Sequence, residues 1–255
     1  MTWWHAVIFG VVEGLTEFLP ISSTGHLILT AKLLGLPQTD FLKSFEICIQ
    51  LGAVLAVVLV YWRTLLLKPK ISIRVLVALA PTLAAGFFLY KSIRHLLSNP
   101  SVILWSLFLG GLVLIVFDLW HRERTDAVEG VDNIPYSKSF WIGVAQSFAM
   151  VPGVSRTGAT IVGGLALGLN RKTVVEFSFL LAVPTILAAT ALDLMYNGPS
   201  FQGSDWGLLL LGATVSCVVA IIVIRFFIRY IQNRGFFFFG VYRMIAAAVL
   251  WIILK

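Results

Sequence analysis

Long apolar runs follow one another along almost the whole of this 255-residue chain. Runs of about 17 to 25 apolar residues are what a helix needs to cross the hydrocarbon core of a bilayer. Hydrophobic residues make up 59% of the sequence and charged residues only 12%, so a water-soluble domain of this length could not bury the apolar surface. The sequence therefore predicts an all-α, polytopic integral membrane protein that forms a single membrane domain over residues 1–255.

Glycines, prolines and charged residues divide the apolar runs into about ten helical segments. The predicted segments are residues 3–19, 22–35, 42–62, 72–91, 101–120, 139–151, 155–169, 173–196, 206–231 and 236–254. The second, sixth and seventh are too short to span comfortably. We expect them to be re-entrant helices that meet near the midplane of the membrane.

The net charge of +7 comes from basic residues scattered among the short loops between apolar segments. This distribution is typical of a membrane protein, in which loop charges set the topology, and it does not resemble a nucleic-acid-binding stripe. We therefore expect the lipid bilayer, and no nucleic acid, as a partner. Cys48 and Cys217 lie inside apolar segments, where we interpret them as small core residues.

The two halves of the chain resemble each other. Gly10-Val11-Val12-Glu13 recurs as Gly143-Val144-Ala145-Gln146, and Thr24-Gly25 recurs as Thr157-Gly158 at the same spacing. Such recurrence predicts a duplication. The predicted units are a first repeat at 1–120, a polar connecting loop at 121–138 and a second repeat at 139–255.

The loop charges indicate that the second repeat is inverted relative to the first. The loop after the third segment carries four basic residues and no acid, whereas its counterpart at 196–205 carries no base. The positive-inside rule places the first loop in the cytoplasm and the second outside. Five segments in each half would produce that inversion, so we predict two inverted five-segment repeats.

Two carboxylates interrupt the first apolar segment. Glu13 and Glu17 are four residues apart and therefore project from the same helical face. A carboxylate inside a membrane is costly, by a few kcal/mol, and two on one face repel unless a cation or a shared proton joins them. The pair therefore suits a divalent metal ion, and hydrogen-bonded structural carboxyl groups are the alternative interpretation.

Directly after these acids, Pro20 ends one helix and Ser22 and Ser23 are good caps for the next. A helix N-terminus at membrane depth offers free N–H groups to an anion. Ser23 and His26 are three residues apart, so both can face that position. The alternative is that the serines only cap the helix and that His26 is a packed hydrogen-bonding residue.

The second half repeats this pattern with the opposite charge. Pro152-Gly153 breaks the chain, Ser155 can cap, and Arg156 begins a short apolar segment in which Thr157 and Thr160 can converge on the same ligand. The forked guanidinium matches phosphate, although it could instead form a structural ion pair with an acid of the first motif. Four other polar residues in apolar segments could support the site residues indirectly, but we favour a structural role for each: Glu46, Gln50, Glu176 and Arg243.

These motifs resemble the bacterial undecaprenyl-diphosphate phosphatase family, which is also known for bacitracin resistance. The first stretch is Glu13-Gly14-Leu15-Thr16-Glu17-Phe18-Leu19-Pro20, running into Ser22-Ser23-Thr24-Gly25-His26. The second is Pro152-Gly153-Val154-Ser155-Arg156-Thr157-Gly158-Ala159-Thr160. The resemblance continues through Phe45-Glu46, Gln50-Leu51-Gly52 and Glu176 to Pro184, and so covers most of the chain.

The resemblance implies hydrolysis of undecaprenyl diphosphate to undecaprenyl phosphate and inorganic phosphate, which recycles the lipid carrier for cell-wall peptidoglycan synthesis. It also implies an inverted repeat with re-entrant helices, a requirement for Mg²⁺ or Ca²⁺, and a site reached from the outer face of the bacterial inner membrane. The polyprenyl diphosphate lipid would be the substrate. A homodimer is compatible with these expectations.

Roles are carried over residue by residue. The expected catalytic residues are Glu13, Glu17, Ser23, His26 and Arg156, with Glu13 and Glu17 as metal ligands. The expected substrate-binding residues are Ser22, Ser155, Arg156, Thr157 and Thr160. Thr157 departs from the serine that is common in the family, but it keeps a hydroxyl group. The nucleophile stays open among Ser23, His26 and a metal-bound water.

Two other classes compete with this interpretation. Inverted repeats with broken helices are also a common construction of membrane transporters and lipid flippases. A phosphatase of the type 2 phosphatidic acid phosphatase class would need a later histidine, and none follows Arg156. The combination of paired acids, serine, histidine and arginine in two motifs favours an enzyme over a carrier, which needs only binding groups.

Overall fold

The chain folds almost entirely into helices. The computed structural model describes residues 1–97, 100–122, 125–198 and 201–254, apart from the side chains of 90–95, 97, 100, 233 and 254. Within these residues, helices α1 to α11 are Trp3–Thr16, Ser23–Leu33, Asp40–Cys48, Gln50–Leu67, Pro69–Leu97, Pro100–Trp120, Tyr136–Ser147, Arg156–Ala166, Arg171–Asn197, Gly203–Asn233 and Phe237–Leu254. The predicted all-α class is confirmed.

Each predicted segment corresponds to a helix, and only the third is divided. It forms α3 and α4, which meet at Ile49. Because Ile49 keeps helical dihedral angles (φ −67°, ψ −19°), the two helices continue as one apolar span, Asp40–Leu67. The sixth segment is completed by a short 3-10 turn at Phe148–Met150.

Five stretches of helix are long and apolar enough to cross a membrane, among the residues that the structure describes. They are Asp40–Leu67, Pro69–Leu89, Ser101–Trp120, Arg171–Asn197 and Gly203–Gln232. The protein is therefore a multi-pass membrane protein. Helices α2 and α8 have 11 residues each, which is about 16 Å of helix, roughly half the thickness of the hydrocarbon core.

The first helix is shorter than its apolar run. We predicted a segment over 3–19, but α1 ends at Thr16 and residues 17–21 form a turn. The short helices therefore form two pairs, α1 with α2 and α7 with α8, and each pair is joined by a turn. The sequence pattern missed this pairing because Phe18 and Leu19 are as apolar in the turn as they would be in a helix.

The two halves pack in a crossed arrangement. Helix α1 of the first half packs against α10 of the second, and α7 of the second half packs against α5 of the first. The corresponding long helices also meet as pairs, α4 with α9 and α6 with α11. A two-fold relation between duplicated halves would produce this reciprocity, and the predicted inverted repeats remain a prediction.

Glycines allow the crossed helices to approach closely. A Cβ on Gly143 of α7 would overlap the carbonyl oxygen of Ala78 on α5. At the matching position, a Cβ on Gly10 of α1 would lie 2.5 Å from the carbonyl oxygen of Gly212 on α10. Small residues at such crossings are typical of helix packing in membranes, where close van der Waals contact replaces the hydrophobic effect.

Ion pairs gather several loops at one end of the bundle. Lys68 after α4 pairs with Asp132 of the connecting segment at 3.6 Å. Arg171 at the start of α9 pairs with Asp118 near the end of α6 at 3.3 Å, and Asp118 also accepts the N–H of Phe237 at the start of α11. The loop after α4, which we predicted to be cytoplasmic, therefore lies at the same end as the connecting segment, and Val128 of that segment pairs with Leu169 just before α9.

Candidate active site

Two turns, one from each half, precede the short helices α2 and α8 with the same unusual backbone. Ser22 has φ 70° and Ser155 has φ 76°, and they are the non-glycine residues with positive φ in the described part of the chain. Such angles are costly for an L-residue and persist only where the surrounding structure imposes them. We call residues 17–22 the first turn and residues 151–155 the second turn.

The predicted serine caps are confirmed at one of the two positions. The Ser155 hydroxyl accepts a hydrogen bond from the Gly158 N–H at 3.2 Å. Ser22 makes no side-chain cap. Its carbonyl oxygen instead accepts a hydrogen bond from His26 at 2.8 Å. The start of α2 therefore leaves more of its N–H groups available for another partner than the start of α8 does.

A polar junction joins the two motifs across 139 residues of sequence. Arg156 Nη2 donates to Glu17 Oε1 at 2.7 Å, and Ser23 Oγ donates to Glu17 Oε2 at 2.5 Å. Nη1 of the same guanidinium donates to the carbonyl oxygen of Ser178 at 3.1 Å. The structure therefore brings three predicted catalytic residues from both halves to one place.

Thr157 and Thr160, the two predicted threonines, form hydrogen bonds that support this junction. Thr157 Oγ1 donates to the carbonyl oxygen of Glu17 at 3.1 Å. The Thr160 hydroxyl lies 2.6 Å from the hydroxyl of Ser178 and 3.0 Å from the carbonyl oxygen of Arg156. Both threonines are buried, so their hydroxyl groups hold the first turn, α8 and α9 together. The predicted role of these threonines in direct substrate binding remains a prediction.

Glu13 is the least satisfied polar group beside the junction. Its side chain is fully buried, and no N–H or O–H group in the described residues donates to its carboxylate oxygens, although its carboxyl group lies within hydrogen-bonding reach of that of Glu17. The charged groups that act on it are Glu17, Arg156 and Glu46. A buried carboxylate without a donor is costly, so a bound proton or cation would stabilise it. Because carboxylate oxygens suit Mg²⁺ and Ca²⁺, the predicted pair of ligands fits a hard divalent ion.

Protein groups alone do not complete a metal site. Within the described residues there is no group of three or more His, Cys, Asp and Glu side chains that could hold a metal ion. Glu17 is also already engaged by Arg156 and Ser23. A cation at the pair would therefore need oxygen ligands from substrate or water. Metal binding by Glu13 and Glu17 stays a prediction.

His26 lies beside the first turn but is turned away from the junction. Its Nδ1 must donate, because its partner is the Ser22 carbonyl oxygen. In the neutral ring Nε2 is then the acceptor, and it receives the hydroxyl of Tyr242 on α11 at 2.7 Å. Neither ring nitrogen contacts Ser23 or Glu17, so Glu17 and not His26 is positioned to take a proton from Ser23.

Two participants in this network had no assigned role in the sequence analysis. Ser178 supports Arg156 and Thr160, and Tyr242 fixes His26. A serine and a tyrosine inside apolar segments are ordinary in membrane helices, and both contacts join residues that are far apart in sequence. Only the three-dimensional packing of α9 and α11 reveals them.

The unequal surroundings of the two acids predict unequal effects of neutralising them. Glu17→Gln should lower the free energy of unfolding by about 3 kcal/mol, because Arg156 would be left as a buried charge without a carboxylate. Glu13→Gln should leave it unchanged or raise it, because a buried charge without a partner is removed. Thermal unfolding in detergent with a metal chelator measures both variants. Equal losses would mean that Glu13 has a stabilising partner.

Comparison with known proteins identifies the family of this chain. The family described as bacitracin resistance protein BacA matches residues 6–249. The chain is 49% identical over 250 residues to a protein of Aquifex aeolicus, which covers 98% of this chain and 97% of that relative. It is 51% identical over 245 residues to a protein of Sulfurihydrogenibium sp., which covers 96% of each chain. Both relatives are named undecaprenyl-diphosphatase. The chain belongs to the bacitracin resistance protein BacA family.

Proposed function

We propose that the chain is an undecaprenyl-diphosphate phosphatase that releases the terminal phosphate of a polyprenyl diphosphate lipid. The names of its full-length relatives support the substrate and the reaction. The observation that carries the proposal is the junction of Glu17, Ser23 and Arg156. It places a hydroxyl group, a proton acceptor and a forked cation together inside a membrane protein. The product, undecaprenyl phosphate, would return to cell-wall synthesis as a lipid carrier.

Ser23 is the nucleophile in this proposal. Its hydroxyl already donates to Glu17 Oε2, so the proton can pass to the carboxylate as Oγ bonds to the terminal phosphorus. The bond between that phosphorus and the bridging oxygen breaks, and undecaprenyl phosphate leaves. A water molecule then attacks the phosphorus of the phosphoserine, and the bond between phosphorus and Oγ breaks. Oγ takes back the proton held by Glu17, and inorganic phosphate leaves with the protons of the water.

Arg156 provides positive charge where the transferring phosphoryl group carries negative charge. In phosphoryl transfer most of the catalysis comes from positioning and electrostatic stabilisation. The guanidinium is held by Glu17 and by the Ser178 carbonyl oxygen, so its fork is oriented before substrate arrives. The N-terminal amides of α2, where Ser23 begins the helix, would add further donors.

The acids would also hold a divalent cation, Mg²⁺ or Ca²⁺. Glu13 and Glu17 would be its protein ligands, and the unpartnered oxygens of Glu13 support this assignment. When bound, such an ion neutralises charge on the phosphate oxygens. It would also compensate the buried negative charge of Glu13, which no residue in the described part of the chain pairs directly.

The assay that tests the function is phosphate release from undecaprenyl diphosphate by the purified protein in detergent. Arg156→Lys should lower kcat by about a hundredfold, because the charge is kept but the fork is lost. Arg63→Lys is the matched control, since Arg63 lies over the ring of Trp62 on the exposed surface. Ser23→Ala should abolish release and also abolish a base-labile, acid-stable phosphoenzyme in rapid-quench experiments.

Three outcomes would contradict parts of this proposal. No release by folded wild-type protein with either metal ion would favour a transporter or flippase. An acid-labile, base-stable adduct would transfer the nucleophilic role to His26. Release without any adduct, with inversion at phosphorus, would favour direct attack by water.

Removing the metal ion tests the role of the acid pair. Chelation should abolish phosphate release, and added Mg²⁺ or Ca²⁺ should restore it. Glu13→Gln should raise the metal concentration for half-maximal activity by about tenfold or more, because one of two carboxylate ligands is lost. Glu176→Gln on α9, whose charged neighbour is Lys172, should leave that concentration unchanged. Full activity after chelation would remove the cation from the proposal.

We infer that the protein lies in the bacterial inner membrane with its site open to the outer face. The basic loop after α4, the connecting segment and the starts of α9 and α11 share one end of the bundle. The positive-inside rule would place that end in the cytoplasm. The α9–α10 connection would then lie outside.

Labelling of single cysteines tests this orientation. Gln202→Cys at the start of α10 should react with a membrane-impermeant thiol reagent in intact cells, because the side chain is exposed. Arg63→Cys, equally exposed, should react only after the cells are permeabilised. The native Cys48 and Cys217 are buried and should contribute little background. The opposite labelling pattern would invert the topology.

A further inference from the structure

Arg243 on α11 is the largest fully buried side chain in the described part of the chain, with 1% of its surface exposed. A guanidinium has five N–H groups, and here all five donate to main-chain carbonyl oxygens. The acceptors are Leu107 at 3.3 Å, Ser106 at 3.0 Å, Pro20 at 3.2 Å, Gly153 at 2.8 Å and Val154 at 2.8 Å. No carboxylate is among them, so the charge is stabilised by peptide dipoles.

Three of these carbonyl groups belong to the two turns that carry the site. Pro20 lies two residues before Ser22, and Val154 lies directly before Ser155. Each hydrogen bond therefore restrains the backbone one or two residues before a serine with positive φ. Because one rigid, planar group reaches both turns, it also fixes the distance between them. Ser23 and Arg156 follow these two residues directly.

Helix α6 leaves space for this side chain. A Cβ on Gly110 would overlap Nη2 of Arg243. The other two acceptors, Ser106 and Leu107, lie one turn earlier on the same helix. The guanidinium is therefore anchored on α6 and directed at the turns, and glycine is required at 110 for it to reach them.

We propose that Arg243 is a positioning residue that holds the two turns in register, so that the Ser23 hydroxyl, the Glu17 carboxylate and the Arg156 guanidinium meet. It acts through the Pro20, Gly153 and Val154 carbonyl oxygens and does not contact the substrate. Its link to turnover rests on the proposed phosphatase function, whereas its effect on the two turns does not.

Lysine cannot replace this residue. An ammonium has three N–H groups on one atom and cannot reach carbonyl groups on α6 and on both turns at once. Arg243→Lys should therefore loosen the turns while keeping the positive charge. Gly110→Ala should also loosen the turns without changing the arginine, because the new methyl group pushes Nη2 of Arg243 aside.

Hydrogen–deuterium exchange and steady-state kinetics test the proposal together. In Arg243→Lys and Gly110→Ala, amides of residues 17–23 and 151–158 should exchange faster than in wild type, by about tenfold or more, in both turns at once. For the folded fraction, kcat should fall by about a hundredfold while KM stays within about twofold. Gly203→Ala at the start of α10 is the control, since a Cβ there would meet no atom within 4 Å.

A rescue variant separates positioning from general stability. Glycine adopts positive φ without strain, so Ser22→Gly should make the first turn less dependent on Arg243. The loss of kcat caused by Arg243→Lys should be at least about threefold smaller in the Ser22→Gly background.

Several results would overturn the proposal. Unchanged exchange in either turn would do so, as would unchanged kcat of the folded fraction. A raised KM with unchanged kcat would instead indicate contact with the substrate. If exchange rises in both turns of the variants but the wild-type protein shows no turnover, the positioning role of Arg243 is supported and the phosphatase function is rejected.

Discussion

Breaking a helix inside a membrane exposes backbone polar groups where no water can satisfy them, and the whole site depends on how this chain meets that constraint. Both halves break a helix next to a serine with positive φ. The freed carbonyl groups of the turns are taken by side chains from elsewhere: Thr157 binds the Glu17 carbonyl, and Arg243 binds those of Pro20, Gly153 and Val154. The turns therefore depend on tertiary contacts in addition to their local hydrogen bonds, such as that from the Val154 N–H to the Val151 carbonyl oxygen.

The same contacts leave the charges of the site unevenly compensated. Glu17 and Arg156 neutralise each other, whereas Glu13 has no hydrogen-bond donor among the described residues and Arg243 has only carbonyl dipoles. In the proposed reaction, a diphosphate that approached Arg156 would compete with Glu17 for the guanidinium. Because Glu17 already accepts the Ser23 hydroxyl, the loss of Arg156 would make the carboxylate a stronger base for Ser23, so substrate binding and activation of the nucleophile would share one rearrangement.

Much of the fold and part of the site could be predicted from the sequence. The helix lengths could be predicted because they follow from the thickness of the bilayer. Glu17, Ser23 and Arg156 could be predicted as site residues because polar side chains are costly inside a membrane and usually have a function there. The orientation of His26 could not be predicted, because it depends on Tyr242, which lies 216 residues away. A structural role was favoured for Arg243 over support of the site for the same reason. A single arginine in a helix does not reveal that its partners are two distant turns.

The crossed packing of the halves has a consequence for biosynthesis. Helix α7 emerges from the ribosome when its partner α5 is already inserted, but α1 must wait for α10, almost two hundred residues later. Until then the glycine face of α1 and the carboxylates of Glu13 and Glu17 have no final surroundings. The α1–α2 pair therefore reaches its final position only when nearly the whole chain has been made. A truncated chain would hold most of its membrane spans and still lack the site.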